Sequence, residues 1–183
     1  QTSDANLSAR GVSSEVAAKV QEFRAEARFL RAFFYWAALD AFGQVPFSTE
    51  TTQFGGGYNP PQAPRTEIFN FCIPDRTALA ADGSAMAAAR YEYARADKGS
   101  VLGLLARMYL NAEVYTGKAM WAEAKATCEK IYGLGYALAP TYAELFRGDN
   151  GENPDAKKEM LVAASYNAEH TQSYGGTTYL TLS

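Results

Sequence analysis

The sequence has few of the side chains that most enzyme chemistry requires. It contains one histidine, His170, and two cysteines, Cys72 and Cys128, among 183 residues. Nucleophilic catalysis needs a base beside the nucleophile, and a zinc site needs three or four ligands. One histidine and two cysteines are too few to indicate either kind of site. We interpret His170 as an ordinary surface residue and the two cysteines as separate thiols rather than a disulfide.

The chain also lacks an excess of basic charge and a long apolar run. Its 17 Lys and Arg residues against 20 Asp and Glu residues give a formal net charge of −3. This balance argues against a nucleic-acid partner, because such binding needs a positive surface that displaces counterions. The longest strictly apolar run, residues 33–39, is far shorter than the ~20 residues that span a bilayer. We therefore expect no transmembrane helix.

The remaining patterns for catalytic or metal sites are weak. The Gly-rich stretch 55–57 is followed by no Lys-Ser/Thr pair, so it resembles a flexible loop and not a phosphate cradle. Glu22 and Glu26 are four residues apart, which is typical of a solvated helix face. The acidic stretch 149–155 does not have EF-hand spacing, so a plain turn is favoured over a calcium site. We predict a protein that is not an enzyme and needs no cofactor or metal.

Helical spacing of apolar residues predicts a mostly α fold. The clearest helix runs from about Ser13 to Phe42, with a serine at its N-cap, and it ends at Gly43. Because apolar residues form two rows in this helix, we expect it to pack on more than one side. The first row is Val16, Val20, Phe23, Ala27, Leu30, Phe34, Ala37 and Ala41, and the second is Phe29, Phe33, Trp36 and Phe42.

After this helix we predict loops and shorter helices. Residues 97–133 form a helical hairpin with the length of a tetratricopeptide unit, made of helices over 97–115 and 121–132. The other predicted segments are a surface loop over 48–64, a helix over 66–81 that Pro74 kinks or breaks, and a loop-rich part over 134–183. That last part includes a short helix at 142–146 and a strand at 159–164.

Aromatic side chains in the loops are the best candidates for ligand contact. A sugar ring has a flat C–H face and a rim of hydroxyls, which suit an aromatic ring with amides and hydroxyls beside it. Packing of these rings against the helices is the alternative, and the sequence leaves it open. The candidates are Phe54, Tyr58, Tyr166, Tyr174 and Tyr179.

Four blocks of the sequence form a recognisable set. They are EARFLRAFFYWAALDAFGQVPFSTE (26–50), RADKGSVLGLLARMYLNAEVYTG (95–117), TYAELFRGDNGEN (141–153) and YGGTTYL (174–180). Together they resemble the SusD/RagB family of Bacteroidetes outer-membrane nutrient-binding lipoproteins. The blocks occur in the family's order and cover most of the chain. The last two are more similar to the starch-binding founder than to the family average.

The resemblance implies an α-helical protein built on tetratricopeptide-like hairpins, with a loop-rich part that binds the ligand. Residues 1–183 would then form part of one SusD-like domain, since both ends resemble cuts through a longer chain. It also implies a protein on the extracellular face of the outer membrane, held by a lipid anchor on a cysteine outside this sequence. The implied partners are a SusC-like TonB-dependent transporter and the oligosaccharide delivered to it.

For the ligand site, the resemblance implies Tyr174, the tyrosine of the YGGTTYL block, which in the starch-binding member stacks on glucose. Gly175 and Gly176 would let the backbone turn sharply there, and Thr177 completes the candidate ligand-binding segment. Two other functions remain open at this stage. One is a peptide-binding subunit of a RagAB-like uptake complex, and the other is a helical scaffold with no small ligand.

Overall fold

The computed structural model describes residues 3–52, 55 and 57–165. Helices dominate this part of the chain, as predicted, and no helix in it combines the length and hydropathy of a membrane span. The helices are α1 (Asp4–Ala9), α2 (Ser14–Phe42), α3 (Arg65–Ala80), α4 (Lys98–Leu110), α5 (Ala112–Thr116), α6 (Trp121–Tyr132) and α7 (Pro154–Glu159). Two short strands, β1 (Val45–Pro46) and β2 (Gln62–Ala63), pair antiparallel, with Val45 opposite Ala63.

Helix α2 is the long helix that the sequence predicted. The Ser13 side chain caps it by accepting a hydrogen bond from the Val16 amide at 3.4 Å. It ends at Gly43, whose φ of 79° is a conformation that glycine adopts without strain. The face that packs on α3 and α4 carries the buried residues Ala25, Phe29, Ala32 and Leu39.

The expectation that α2 is covered on more than one side is wrong for the described residues. Only one of its apolar faces meets other helices. The first row lies largely in solvent, whereas Phe29 of the second row is buried and Phe33 and Trp36 pack against the core. Phe34 and Phe42 are 66% and 78% exposed. Most of the first predicted row therefore lies on the outer face, and the true core face follows the small residues Ala25 and Ala32.

Helix α3 lies between α2 and α4 and passes through Pro74 without ending there. Its Asp75 carboxylate contacts Arg28 of α2 and the fully buried Arg76. Burial opposes ionisation of Asp75, but the hydrogen bond from Arg28 and the charge of Arg76 outweigh it. The pKa of Asp75 consequently lies below its usual value. This charged cluster joins α2 to α3.

Helices α4 and α6 form the predicted hairpin and pack closely against each other. The predicted single helix over 97–115 is wrong at one point, because the chain breaks at Asn111 into α4 and α5. The Asn111 side chain donates a hydrogen bond to the Arg107 carbonyl at 3.0 Å. Asparagine competes in this way for helix backbone groups, which favours a helix end. Helix α6 occupies Trp121–Tyr132, as predicted.

The predicted strand over 159–164 is absent from the described residues. Helix α7 extends to Glu159, and the chain after it is irregular. Asn153 caps α7 by accepting hydrogen bonds from the Asp155 and Ala156 amides, and Pro154 suits the first helical position. Helix α7 overlaps the predicted strand only at Glu159. Within the apolar run that suggested the strand, the Leu161 carbonyl accepts a hydrogen bond from the Ser100 hydroxyl at 2.7 Å. The short helix predicted at Tyr142–Phe146 is present as a 3₁₀ helix.

Two contacts join the first pair of motif blocks to each other. Arg95 binds Glu26 of α2 through two nitrogens, at 2.8 and 2.9 Å. At the other end of these blocks, the Tyr115 hydroxyl donates to the Asp40 carboxylate at 2.6 Å. Burial and then this carboxylate raise the pKa of Tyr115 to about 12. The charged residues of these motifs thus hold the helical frame together.

Candidate functional site

A groove with two tyrosines lies at the N-terminal end of α4. One wall is the segment with Tyr91, Tyr93 and Arg95, and the other includes Lys157 and Leu161. The groove has a volume of about 200 Å³ and is open to solvent. We call this region the tyrosine groove.

Both tyrosines present part of their rings to solvent. Tyr91 is 47% exposed and Tyr93 is 37% exposed. A lysine lies beside each ring: the Lys19 ammonium is 5.6 Å from the ring centre of Tyr91, and the Lys157 ammonium is 5.1 Å from that of Tyr93. Such cation–π contacts fix the rings without covering them completely.

The backbone that carries the tyrosines is strained. Arg90 and Ala94, with φ values of 61° and 64°, are the two non-glycine residues with positive φ in the described part of the chain. They flank the three residues 91–93. Non-glycine residues in this conformation cost about 1 kcal/mol or more, and the surrounding structure must hold them there.

Asp97 provides much of that support. Its carboxylate accepts a hydrogen bond from the Arg90 amide at 2.6 Å and another from the Ser100 amide at 2.9 Å. The second of these bonds belongs to a capping box that starts α4. The Tyr136 hydroxyl lies beside the same carboxylate. Burial, followed by the charge of Asp97, raises the pKa of Tyr136 to about 12.

The opposite wall of the groove is held by the same helix end. The Ser100 hydroxyl donates to the Leu161 carbonyl at 2.7 Å, and the Ala137 amide donates to the Lys158 carbonyl at 3.2 Å. Gly103 allows this approach, since a Cβ there would lie 2.9 Å from the Leu161 side chain. The two walls of the tyrosine groove therefore share one rigid support, the first turn of α4.

A second, more apolar groove lies on the other side of Leu161. Phe29, Phe33 and Trp36 of α2 line it together with residues of α4, and its volume is about 490 Å³. The Arg107 guanidinium lies 5.7 Å from the Trp36 ring centre at its edge. The segment after α7 thus separates an apolar groove from the more polar tyrosine groove.

The site residues implied by the resemblance lie outside the described residues. These are Tyr174, Gly175, Gly176 and Thr177, and the same holds for Phe54, Tyr166, His170 and Tyr179. Their role in ligand binding stays a prediction. Of the loop aromatics that the sequence proposed, Tyr58 is described, and its side chain is about half exposed.

The structure also shows the surroundings of the residues that the sequence analysis considered for nucleophilic, metal or acid–base sites. Cys72 and Cys128 are free thiols, and burial raises the pKa of Cys72 to about 11, so it is a poor nucleophile at neutral pH. Asp149 is 3.2 Å from Arg147, in an ion pair within its own turn. Glu22 and Glu26, interpreted as a solvated face, instead meet Arg95.

Sequence reasoning missed the tyrosine groove. Tyr91 and Tyr93 end a linker rich in small residues, and no helical or strand period marks them. The available signal is the short run RYEYAR (90–95), where two aromatic residues alternate with charged ones in a segment otherwise rich in alanine. Their position beside α7 depends on contacts over more than 60 residues of chain, which no local pattern reveals.

Comparisons with known proteins agree with the four motif blocks. The starch-binding protein SusD of Bacteroides thetaiotaomicron is 39% identical over 162 residues, which cover 86% of this chain and 27% of that protein. The chain is SusD-like. It spans about a quarter of the length of this curated relative, and no model of a protein family matches it.

Solved structures support the same assignment. A SusD superfamily protein from Parabacteroides distasonis aligns with a TM-score of 0.60 at 29% identity, over 70% of this chain and 28% of that one. A SusD-like carbohydrate-binding protein from Bacteroides fragilis aligns with a TM-score of 0.58 at 26% identity, over 70% and 24% of the two chains. The family resemblance and the SusD-like fold are confirmed.

Proposed function

We propose that this SusD-like chain is part of a cell-surface protein that binds oligosaccharide and passes it to a SusC-like TonB-dependent transporter. The observation that carries the proposal is the 39% identity to a starch-binding protein over 86% of the chain. In this proposal the protein lies on the extracellular face of the outer membrane, attached by a lipid anchor. It binds its ligand without breaking a bond.

The proposed mode of binding is stacking of aromatic rings on sugar faces. Tyr174 is the proposed stacking residue, and Gly175, Gly176 and Thr177, which follow it in the sequence, complete the proposed ligand-binding segment. The helical frame supports this mode, because binding to a rigid surface loses less conformational entropy than binding to a loose one. The contacts of Arg95 with Glu26 and of Tyr115 with Asp40 supply that rigidity.

Isothermal titration of the full-length protein against neutral oligosaccharides, beginning with maltoheptaose, tests the proposal. We expect Tyr174→Ala to weaken binding by roughly 5- to 150-fold, the equivalent of ~1 to 3 kcal/mol for the loss of an aromatic anchor. Tyr132→Ala is the matched control, since Tyr132 lies exposed at the end of α6, and it should leave binding unchanged.

Two results would contradict the proposal. Binding of peptides with no binding of any glycan would favour a peptide-uptake subunit instead. Binding of the transporter with no binding of glycan or peptide would indicate a scaffold. Co-purification with the co-expressed transporter tests the partner separately, and we expect Tyr174→Ala to leave that association intact.

A further inference from the structure

We propose that the tyrosine groove is a second carbohydrate-contact site, which takes a single ring of a neutral glycan and binds it without needing the Tyr174 side chain. This inference rests on the proposed function for the class of ligand. Its location comes from the groove alone, namely the exposed rings of Tyr91 and Tyr93 and the walls around them.

The size of the groove favours a single ring. Its volume of about 200 Å³ is below the roughly 300–1,000 Å³ of pockets that enclose a whole drug-sized ligand. An open groove of this size can hold one sugar unit while the rest of the oligosaccharide extends into solvent. Two partly exposed tyrosines at its wall offer both an apolar ring surface and hydroxyl groups to that unit.

The charges at the groove favour an uncharged ligand. Four of its charged side chains are already engaged: Arg90 donates to the Gly135 carbonyl at 2.6 Å, Asp97 accepts two backbone amides, and Arg95 binds both Glu26 and Glu92. Glu92 lies 3.5 Å from Arg95, and Lys157, the remaining charged side chain at the groove, lies beside the Tyr93 ring and has the opposite sign to Glu92. Hydroxyl groups can hydrogen-bond to a carboxylate and to an ammonium, whereas an anionic sugar would meet the repulsion of Glu92.

The strained backbone indicates that the surrounding structure holds the rings of Tyr91 and Tyr93 in one fixed position. A relaxed loop would place glycine or asparagine at positive φ, yet Arg90 and Ala94 occupy those positions on either side of the tyrosines. The Asp97 carboxylate fixes the first of them through the Arg90 amide. Strain that is maintained in this way is characteristic of ligand-binding segments, because it fixes side chains before the ligand arrives.

The test measures sugar binding in two backgrounds of the full-length protein. Saturation-transfer NMR with maltose reports any ring contact, and titration with maltoheptaose gives the affinity. We expect maltose still to receive saturation from the Tyr174→Ala protein, and to lose it when Tyr91→Ala and Tyr93→Ala are added. In a protein that keeps Tyr174, the double substitution Tyr91→Ala and Tyr93→Ala should weaken maltoheptaose binding by about 5- to 30-fold.

Two further variants guard against a folding defect. Ala163→Trp should fill the groove without removing either tyrosine, since Ala163 lies at its wall, and it should reproduce the loss. Tyr91→Phe with Tyr93→Phe keeps the ring faces and should retain most of the binding. Thermal unfolding of each variant identifies any that fails to fold.

The outcomes separate this inference from the proposed function. If the unchanged protein binds no sugar at all, the proposed function fails and the groove loses its ligand class with it. If the protein binds sugar but neither Ala163→Trp nor the paired alanine variant changes affinity or saturation transfer, the groove is not a carbohydrate site. Loss of all maltose contact in Tyr174→Ala alone would equally overturn the second site.

Discussion

Gly99 is the position at which the geometry gives the sharpest test of the groove's support. It lies in the first turn of α4, where helix propensity alone favours alanine over glycine by up to about 1 kcal/mol. A Cβ built on Gly99, however, would lie 2.6 and 2.8 Å from the Cζ and Cε2 atoms of Tyr136, and closer still to its hydroxyl. The two considerations predict opposite signs for Gly99→Ala.

We expect the steric effect to dominate. Tyr136 would have to leave the Asp97 carboxylate, and overpacking of this kind costs ~1 to 3 kcal/mol. After subtraction of a propensity gain of about 1 kcal/mol, Gly99→Ala should lower the free energy of unfolding by up to about 2 kcal/mol. Equilibrium urea unfolding at pH 7, followed by circular dichroism, measures this change through the midpoint and the m-value.

A double-mutant cycle identifies the cause. In a Tyr136→Ala background the ring is gone, so Gly99→Ala should become neutral or stabilising by up to ~1 kcal/mol. Gly133→Ala is the matched control, because its nearest neighbour, the Lys130 carbonyl at 3.5 Å, is at an ordinary contact distance. Stabilisation by Gly99→Ala in the unchanged protein, or the same effect in both backgrounds, would refute the reasoning.

Two other predictions concern Tyr115 and Tyr136, whose hydroxyl groups lie beside carboxylates. Tyr115→Phe removes the 2.6 Å hydrogen bond to Asp40 and should lower the free energy of unfolding by about 1.5 to 3 kcal/mol in urea, whereas the exposed Tyr132→Phe should have no effect. Folding raises the pKa of Tyr115 and Tyr136 from 10.0 to about 12, so stability that is present below pH 10 should be lost as the pH rises towards 12. Urea titrations from pH 8 to 12 check this; a flat profile would contradict it, and Tyr136→Phe should remove part of the slope.

The sequence predicted helices well where local signals act alone. Ser13 as a cap and Gly43 as a stop define α2, and Gly133 ends α6. It failed where a single side chain changed the outcome, as Asn111 does by ending α4. Such competition depends on side-chain hydrogen bonds that a count of apolar residues does not include.

The sequence pattern also did not predict which face of α2 is buried. Two apolar rows offered two candidate core faces, and small residues such as Ala25 and Ala32 decided the matter by letting neighbouring helices approach closely. The tyrosine groove depends on contacts between residues that are even farther apart in the sequence. Asp97, Tyr136 and Leu161 meet there only after the hairpin and α7 have packed, so no local pattern could place Tyr91 and Tyr93 beside them.

The hydroxyl of Tyr35 both donates to the carbonyl and accepts from the amide of Ser48, each at 2.8 Å. Because these are main-chain groups, the start of the 48–64 loop is anchored without regard to which side chains follow. Doubling the length of a flexible loop costs only about 0.6 kcal/mol in closure entropy. This segment is accordingly a suitable place for exchange: related proteins could substitute longer or differently decorated versions of it, and an engineer could graft a foreign recognition loop there, while the helices beneath stay as they are.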